Sequence, residues 1–202
     1  MTATTEDIER AAAAALRGEL IVLPTDTVYG IGTRPDDPAA TARLFEAKRR
    51  PRDLELPILV PDAATAERIA RFDRVARRLA ARHWPGALTL VLDRTAASST
   101  WDLGGNPATV GLRVPDDPTA LGVLQRTGPL AVTSANISGT PTPVTCSELS
   151  ILFGEAVTVV LCADGDLSGA ASTVVDCTAD PPTILRTGAI GADEITRSSH
   201  AE

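Results

Sequence analysis

The chain has 202 residues, 44% of them hydrophobic and only 3% aromatic, with a formal charge of -7 at pH 7. That is enough apolar chain to bury one core without covalent or metal staples, and the core must be built from Ala, Val, Leu and Ile. The acidic total and the shortage of aromatic rings argue against nucleic-acid binding as the main activity, which calls for a basic face or stacking platforms.

In chain order, Thr4 and Asp7 have capping-box spacing ahead of Ile8, Ala12, Ala15 and Leu16, and Gly18 closes that helix. A strand at 20–24 follows. Asp37 and Pro38 open a helix that runs to about Lys48, with Leu44 and Phe45 on its inner face. Strand LPILV, helices in 62–71 and 73–83, and strand ALTLVL at 87–92 come next. The second half continues with strand TVGLRV, a helix opened by Asp117 and Pro118, and strand PLAVTS. Thr145 and Glu148 repeat the capping box before a short helix ended by Gly154, and strands VTVVL, STVVD and TILR complete the pattern. Strands arriving in succession near the C-terminus favour an α/β fold with a mixed sheet flanked by helices over a purely parallel one. One domain is expected over residues 5–195, with 196–202 a fraying tail.

Cys146, Cys162 and Cys177 form no CxxC pair and read as small buried side chains in a reducing compartment. No run reaches membrane-spanning length and the acidic start is unlike a signal peptide, so a cytoplasmic location is expected.

Several familiar chemistries are missing. There is no GxxxxGK[ST], GIGTRP fails the dinucleotide fingerprint at Pro35, and with two histidines there is no HExxH. A Ser-His-Asp triad would have to use His83, which reads instead as a polar group at a helix C-terminus before Pro85.

Donors are what the chain supplies. LIVLPTDTVYGIG, residues 20–32, runs from an apolar strand into hydroxyls, the only tyrosine and two glycines, the composition of a site floor rather than a bare turn. EAKRRPRD places Lys48, Arg49 and Arg50 at a helix end stopped by Pro51. Taken alone, that run reads equally well as complementation of the helix dipole. GLRVP, TSANISGTP and ILRTG each set Arg, Ser or Asn beside glycine or proline at the end of an apolar run. Strand ends bordering one crevice are where open α/β sheets bind ligands. Lys48, Arg50, Arg113, Arg186, Ser134 and Asn136 together would surround a polyanion, through charge-assisted bonds worth about 1.5–3 kcal/mol each.

In this order, LPTDTVYGIG, KRRP, HWPGALTLVL, VGLRVP, TSANISG, STVVD and ILRTGAI resemble the YrdC family of threonylcarbamoyl-AMP synthases, over about residues 8–192. The resemblance implies a single twisted, mixed α/β domain with a deep electropositive cleft. It also implies condensation of L-threonine, bicarbonate and ATP, with Mg²⁺ on the nucleotide, to threonylcarbamoyl-AMP and pyrophosphate. The product would pass to a tRNA threonylcarbamoyl transferase complex for N6-threonylcarbamoyladenosine formation. By the same resemblance Lys48 and Arg50 are the catalytic Lys-x-Arg pair on the ATP phosphates and the carboxylate being activated. Ser134 and Asn136 bind phosphates from the opposite wall, and Arg186 belongs to the nucleotide site. Arg113 and Ser172 lie near threonine, and Thr27 and Tyr29 shape its pocket. Where relatives commonly read RPxxxPL, this chain has RPRDLELP, with Glu55 in place of the first proline. The length matches the single-domain form of the family, in which any lid comes from loops.

Two other readings stand beside it. One is a YrdC-like module that binds RNA without catalysis, supported by the KRR cluster and opposed by the acidic total. The other is a relative that makes a carbamoyl adenylate from carbamoyl phosphate, as similar domains do in hydrogenase maturation. Those domains normally sit in longer chains with zinc-finger-like cysteines, which are absent here.

Overall fold

The computed structural model describes residues 3–163, 165, 167 and 169–200. The elements run α1 (Thr5–Leu16), β1 (Leu20–Leu23), β2 (Gly30–Thr33), α2 (Pro38–Lys48), β3 (Ile58–Leu59), α3 (Ala63–Ile69), α4 (Arg74–His83), β4 (Leu88–Asp93) and β5 (Thr109–Arg113). They continue with α5 (Pro118–Thr127), β6 (Leu130–Ser134), α6 (Cys146–Phe153), β7 (Val157–Val160), β8 (Thr173–Asp176), β9 (Thr183–Arg186) and α7 (Ala192–His200). Helix starts are set by side-chain oxygens that accept otherwise unpaired backbone N–H groups. Thr4 and Thr145 form full capping boxes with Asp7 and Glu148, while Asp37, Asp62, Asp73 and Asp117 cap α2, α3, α4 and α5.

The strands form one mixed sheet in the order β7-β1-β2-β6-β3-β5-β4-β8-β9. The three C-terminal strands divide: β7 joins one edge, parallel to β1, and the β8–β9 hairpin forms the other. GIGT, read in sequence as the end of a hydroxyl-rich turn, is strand β2, antiparallel to both β1 and β6. It was missed because two glycines in four residues carry no β-propensity. The sheet needs them there, since a Cβ on Gly32 would lie 2.6 Å from the Ala131 carbonyl oxygen.

Strand alternation explains where space is left. Leu88, Leu90, Leu92, Val110, Leu112 and Val175 join the core beneath α2, α3 and α4. On the opposite face, Ile21, Leu23, Leu130 and Val132 are covered by the alanine side of α1 and by Ala120, Val123 and Leu124 of α5. Those two helices stop short of β5, β4 and β8, whose alternate residues Thr89, Val91, Gly111, Arg113 and Val174 line a hollow instead.

Two expectations are overturned. Residues 196–200, expected to fray, belong to α7, because Ile195 and Ser198 are buried against α4 and His83 Nε2 lies 3.0 Å from Ser198 Oγ; residues 201–202 lie outside the described set. Cys146 and Cys162, read as free thiols, form a disulfide with their Cα atoms 5.7 Å apart. The fold brings the start of α6 beside the chain leaving β7, a proximity that no CxxC rule detects. Cys177 is free and buried, its thiol pushed up to about 12 by burial.

His83 lies in the last turn of α4, as expected, and is a buried strut between α4 and α7. Burial holds its pKa below the ordinary 6.5, with Arg82 adding to the effect and Glu194 opposing it. The unfolded chain therefore takes up this proton more readily than the folded one. Stability is full above about pH 6.5 and falls as the pH drops through the lowered value. His83→Gln, which keeps a polar partner for Ser198, should lose less of its urea midpoint than wild type between about pH 7.5 and about pH 5.5. Parallel curves for the two proteins would exclude this role.

Candidate active site: an arginine-lined hollow on the bare half of the sheet

The hollow has a volume of about 460 Å³, within the range of about 300–1,000 Å³ usual for small-molecule sites. Three arginines reach it from three separate segments.

Arg113 stands at the end of β5. Its Nε donates to Gly86 O (2.9 Å), one terminal nitrogen to Thr27 Oγ1 (2.9 Å) and the other to Asp26 Oδ1 (2.5 Å). Asp26 Oδ1 also accepts from the Asp116 backbone N–H (2.9 Å), so one carboxylate ties the turn after β1 to the chain leaving β5. Thr25 directs its hydroxyl to Val28 O (2.6 Å) and lies 2.9 Å from Thr27 Oγ1, which locks the turn from within. Tyr29 Oη accepts from Ala163 N at 2.9 Å and lies 3.7 Å from Cys146 Sγ, beside the disulfide.

Arg50 follows α2, whose last turn ends with Arg49 in a left-handed conformation at φ 50. Its Nε donates to Leu54 O (3.1 Å) and a terminal nitrogen to Glu55 O (2.8 Å). Arg186, at the end of β9, donates to Ser172 O through Nε (3.1 Å) and a terminal nitrogen (2.9 Å), the latter also lying 3.2 Å from Ser172 Oγ. Ser172 Oγ is in turn 2.9 Å from Thr89 Oγ1 on β4. Gly188 permits this arrangement, since its backbone presses against Ala171 and Ser172 where no side chain would fit.

All three guanidinium pKa values are lowered, chiefly by burial. The positive charge of Arg186 also lowers those of Arg50 and Arg113, so the three cations share one electrostatic neighbourhood.

Lys48 and Asn136 form the layer behind the wall rather than the lining. Lys48 is 1% exposed. Its ammonium donates to Ser134 O, to Asn136 O (2.8 Å) and to Asn136 Oδ1 (3.0 Å), while Ser134 Oγ donates to Asn136 Oδ1 (2.6 Å). Burial, with the charge of Arg50 adding to it, lowers the Lys48 pKa to about 7.

Of the residues singled out in sequence, Thr27, Tyr29, Arg50, Arg113, Ser134, Ser172 and Arg186 line the one hollow. Sequence reasoning missed Thr25, Thr89 and Glu55 among the lining residues. Thr89 had a signal, as a lone hydroxyl among aliphatics in a strand. Glu55 appeared only as a departure from a motif; its carboxylate meets buried Arg94 at 3.3 Å, and burial pushes it up to about 7 against the pull of that partner. No group of three His, Cys, Asp or Glu among the described residues is placed to hold a metal ion. Fixed cations beside a hydroxyl-rich floor suit an anionic ligand that is positioned and charge-stabilised.

The family model described as Telomere recombination, for Sua5, YciO and YrdC proteins, matches residues 13–188. A protein from Mycobacterium tuberculosis named putative threonylcarbamoyl-AMP synthase is 43% identical over 189 residues, covering 93% of this chain and 87% of the relative. The crystal structure of P. abyssi Sua5 complexed with L-threonine superposes with a TM-score of 0.86 at 34% identity, over 96% of this chain but only 58% of that one. E. coli YciO superposes with a TM-score of 0.86 at 26% identity, over 95% and 94% of the two chains.

Lys48→Met should unfold at a lower urea concentration than wild type, by about 2–5 kcal/mol, because it leaves the carbonyls of Ser134 and Asn136 without their buried donor. Wild-type stability in that variant would remove the lysine from its supporting role.

Proposed function

The chain belongs to the Sua5/YciO/YrdC family, and on that premise we propose that it is an L-threonylcarbamoyladenylate synthase. As a nucleotidyltransferase it condenses L-threonine, bicarbonate and ATP to threonylcarbamoyl-AMP and pyrophosphate. The observation that carries this reading is the convergence of Arg50, Arg113 and Arg186 on one hollow floored by the Thr25–Tyr29 turn.

The threonine amine and bicarbonate form a carbamate with loss of water. A carbamate oxygen then attacks the α-phosphorus of ATP, and the bond from that phosphorus to the bridging oxygen breaks to release pyrophosphate. Both reactants are anions, and ATP carries about four negative charges, so their mutual repulsion is the main obstacle. Fixed cations lower it without a proton-transfer group, in keeping with phosphoryl-type transfer that depends on positioning and charge.

Arg50 and Arg186 hold phosphates, with Ser134 on the opposite wall and Asn136 behind it, steadying the Ser134 hydroxyl. Arg113 and Ser172 receive the threonine carboxylate, and Thr27 and Tyr29 shape its side-chain pocket. Lys48 fixes the Ser134–Asn136 turn and reaches a phosphate by exchanging one of its carbonyl partners. Mg²⁺ would enter as part of the ATP substrate, since the guanidinium groups of the hollow are donors that cannot ligate a cation and no group of three His, Cys, Asp or Glu among the described residues is placed to hold one.

The adenylate passes to a tRNA threonylcarbamoyl transferase complex, with direct RNA binding secondary. No helix among the described residues is long and apolar enough to cross a membrane, and the proposed place of work is the cytoplasm.

With Mg²⁺, bicarbonate and ATP, purified protein should release pyrophosphate only when threonine is added. Arg50→Ala and Arg186→Ala should each lower kcat/KM by about 10- to 100-fold, the loss expected for one or two charge-assisted bonds. Release that ignores threonine would remove the proposed reaction. Since Lys48 sits near 7 in the free protein, an arriving polyanion should raise its pKa and draw in a proton. Calorimetry of ATP binding at about pH 8 in buffers of different ionisation enthalpy should register that uptake. Lys48→Met should abolish it.

A further inference from the structure

Arg50 faces the hollow because its own loop folds back on it, the guanidinium being held by the carbonyls of Leu54 and Glu55. Whatever fixes those carbonyls fixes the guanidinium. Leu54 is 46% exposed and is tied only locally, its N–H donating to Pro51 O. Glu55 turns its carboxylate to Arg94, whose side chain is only 3% exposed and which sits just past the end of β4. Arg94 donates in addition to Thr109 O (2.5 Å) and Trp101 O (2.8 Å), so the acidic partner hangs from a fully held guanidinium. On either side, Leu56 N donates to Leu103 O and Gly105 N to Arg52 O, each at 2.8 Å. Gly105 has φ 59, and a Cβ there would lie 2.7 Å from Glu55 Cβ, so the two loops touch at the residue that carries the ion pair.

A glutamate leaves its own backbone dihedrals free, and here a hydrogen bond from a buried arginine takes over the task of fixing them.

We propose that Glu55 and Arg94 are positioning residues for Arg50, setting the loop carbonyls that aim its guanidinium into the hollow. The inference rests on reading the hollow as a phosphate site, and it assigns Glu55 no contact with substrate.

The test is a double-mutant cycle read by calorimetric binding of inorganic triphosphate and by the KM for ATP. Glu55→Ala should weaken triphosphate binding about tenfold and add nothing in the Arg50→Ala background, since it acts only through that side chain. Glu55→Gln, which keeps an oxygen for Arg94, should bind as wild type, and the KM for threonine should not change. If Glu55→Ala fails to fold, Glu55→Met with Arg94→Met removes both charges and takes its place in the cycle. Additive losses, or wild-type binding by Glu55→Ala, would overturn the inference. So would a Glu55→Gln variant as impaired as Glu55→Ala, since the positioning role asks only for an oxygen that accepts from Arg94. Absence of threonine-dependent pyrophosphate release alongside an intact cycle would remove the proposed reaction and leave this inference standing. A wild-type protein that binds no triphosphate would overturn both.

Discussion

Arg50, Arg186 and Lys48 are held by backbone carbonyl oxygens, from Leu54 and Glu55, from Ser172, and from Ser134 and Asn136 respectively. A carboxylate in any of these places would fix the side chain equally well and cancel its charge. A carbonyl dipole orients the cation and leaves its unit charge to act on whatever enters. Arg113 is the exception, with Asp26 at 2.5 Å, and it is the arginine assigned to the single carboxylate of threonine rather than to phosphates. The price is burial of like charges near one another, and the lowered pKa values of all three arginines express it. A polyanion would relieve that strain, so the free site is set against its own charge until it is filled.

The turn after β1 joins the halves of this arrangement. Asp26 and Thr27 grip Arg113 across the hollow, and the carbonyl of Tyr29 accepts from Ala135 N (2.7 Å), beside the Ser134–Asn136 turn that Lys48 supports. One short hydroxyl-rich segment thereby sets the distance between the proposed amino-acid and phosphate ends. That is a stronger reason for its composition than lining alone. Thr25, with its hydroxyl bound inside the turn, maintains this shape.

Much of the site was legible because its cations sit at the ends of apolar runs, where chain direction changes and glycine or proline marks the junction. ILRTG and GLRVP could be read as strand exits, and strand exits meet at one edge of the crevice. The division between lining and support was not legible. Lys48 and Arg50 are two residues apart, yet the helix end turns one inward to carbonyls and the other to the hollow. Glu55 was visible only as an irregular residue in a loop, because its meaning lies in Arg94, 39 positions away. The bare half of the sheet was likewise hidden: alternation in ALTLVL shows that Thr89 and Val91 share a face, but not that α1 and α5 leave that face uncovered. The C-terminal helix was misread for a similar reason, since TRSSH looks like polar tail until Ser198 finds His83.

The choice of cation at each position follows from what burial does to it. A guanidinium stays protonated near two others because its intrinsic pKa leaves room for a considerable fall. An ammonium under the same burial falls to about 7 at Lys48 and becomes conditional near neutrality. Arginines therefore suit the lining, where like charges face each other in the empty site. The lysine suits the layer behind, where three oxygens match its three N–H donors and where its charge is strengthened once an anion arrives. Exchanging the two kinds of residue would leave a lining that sheds its charge before binding and a support whose planar fork does not fit the tetrahedral grip of Ser134 and Asn136.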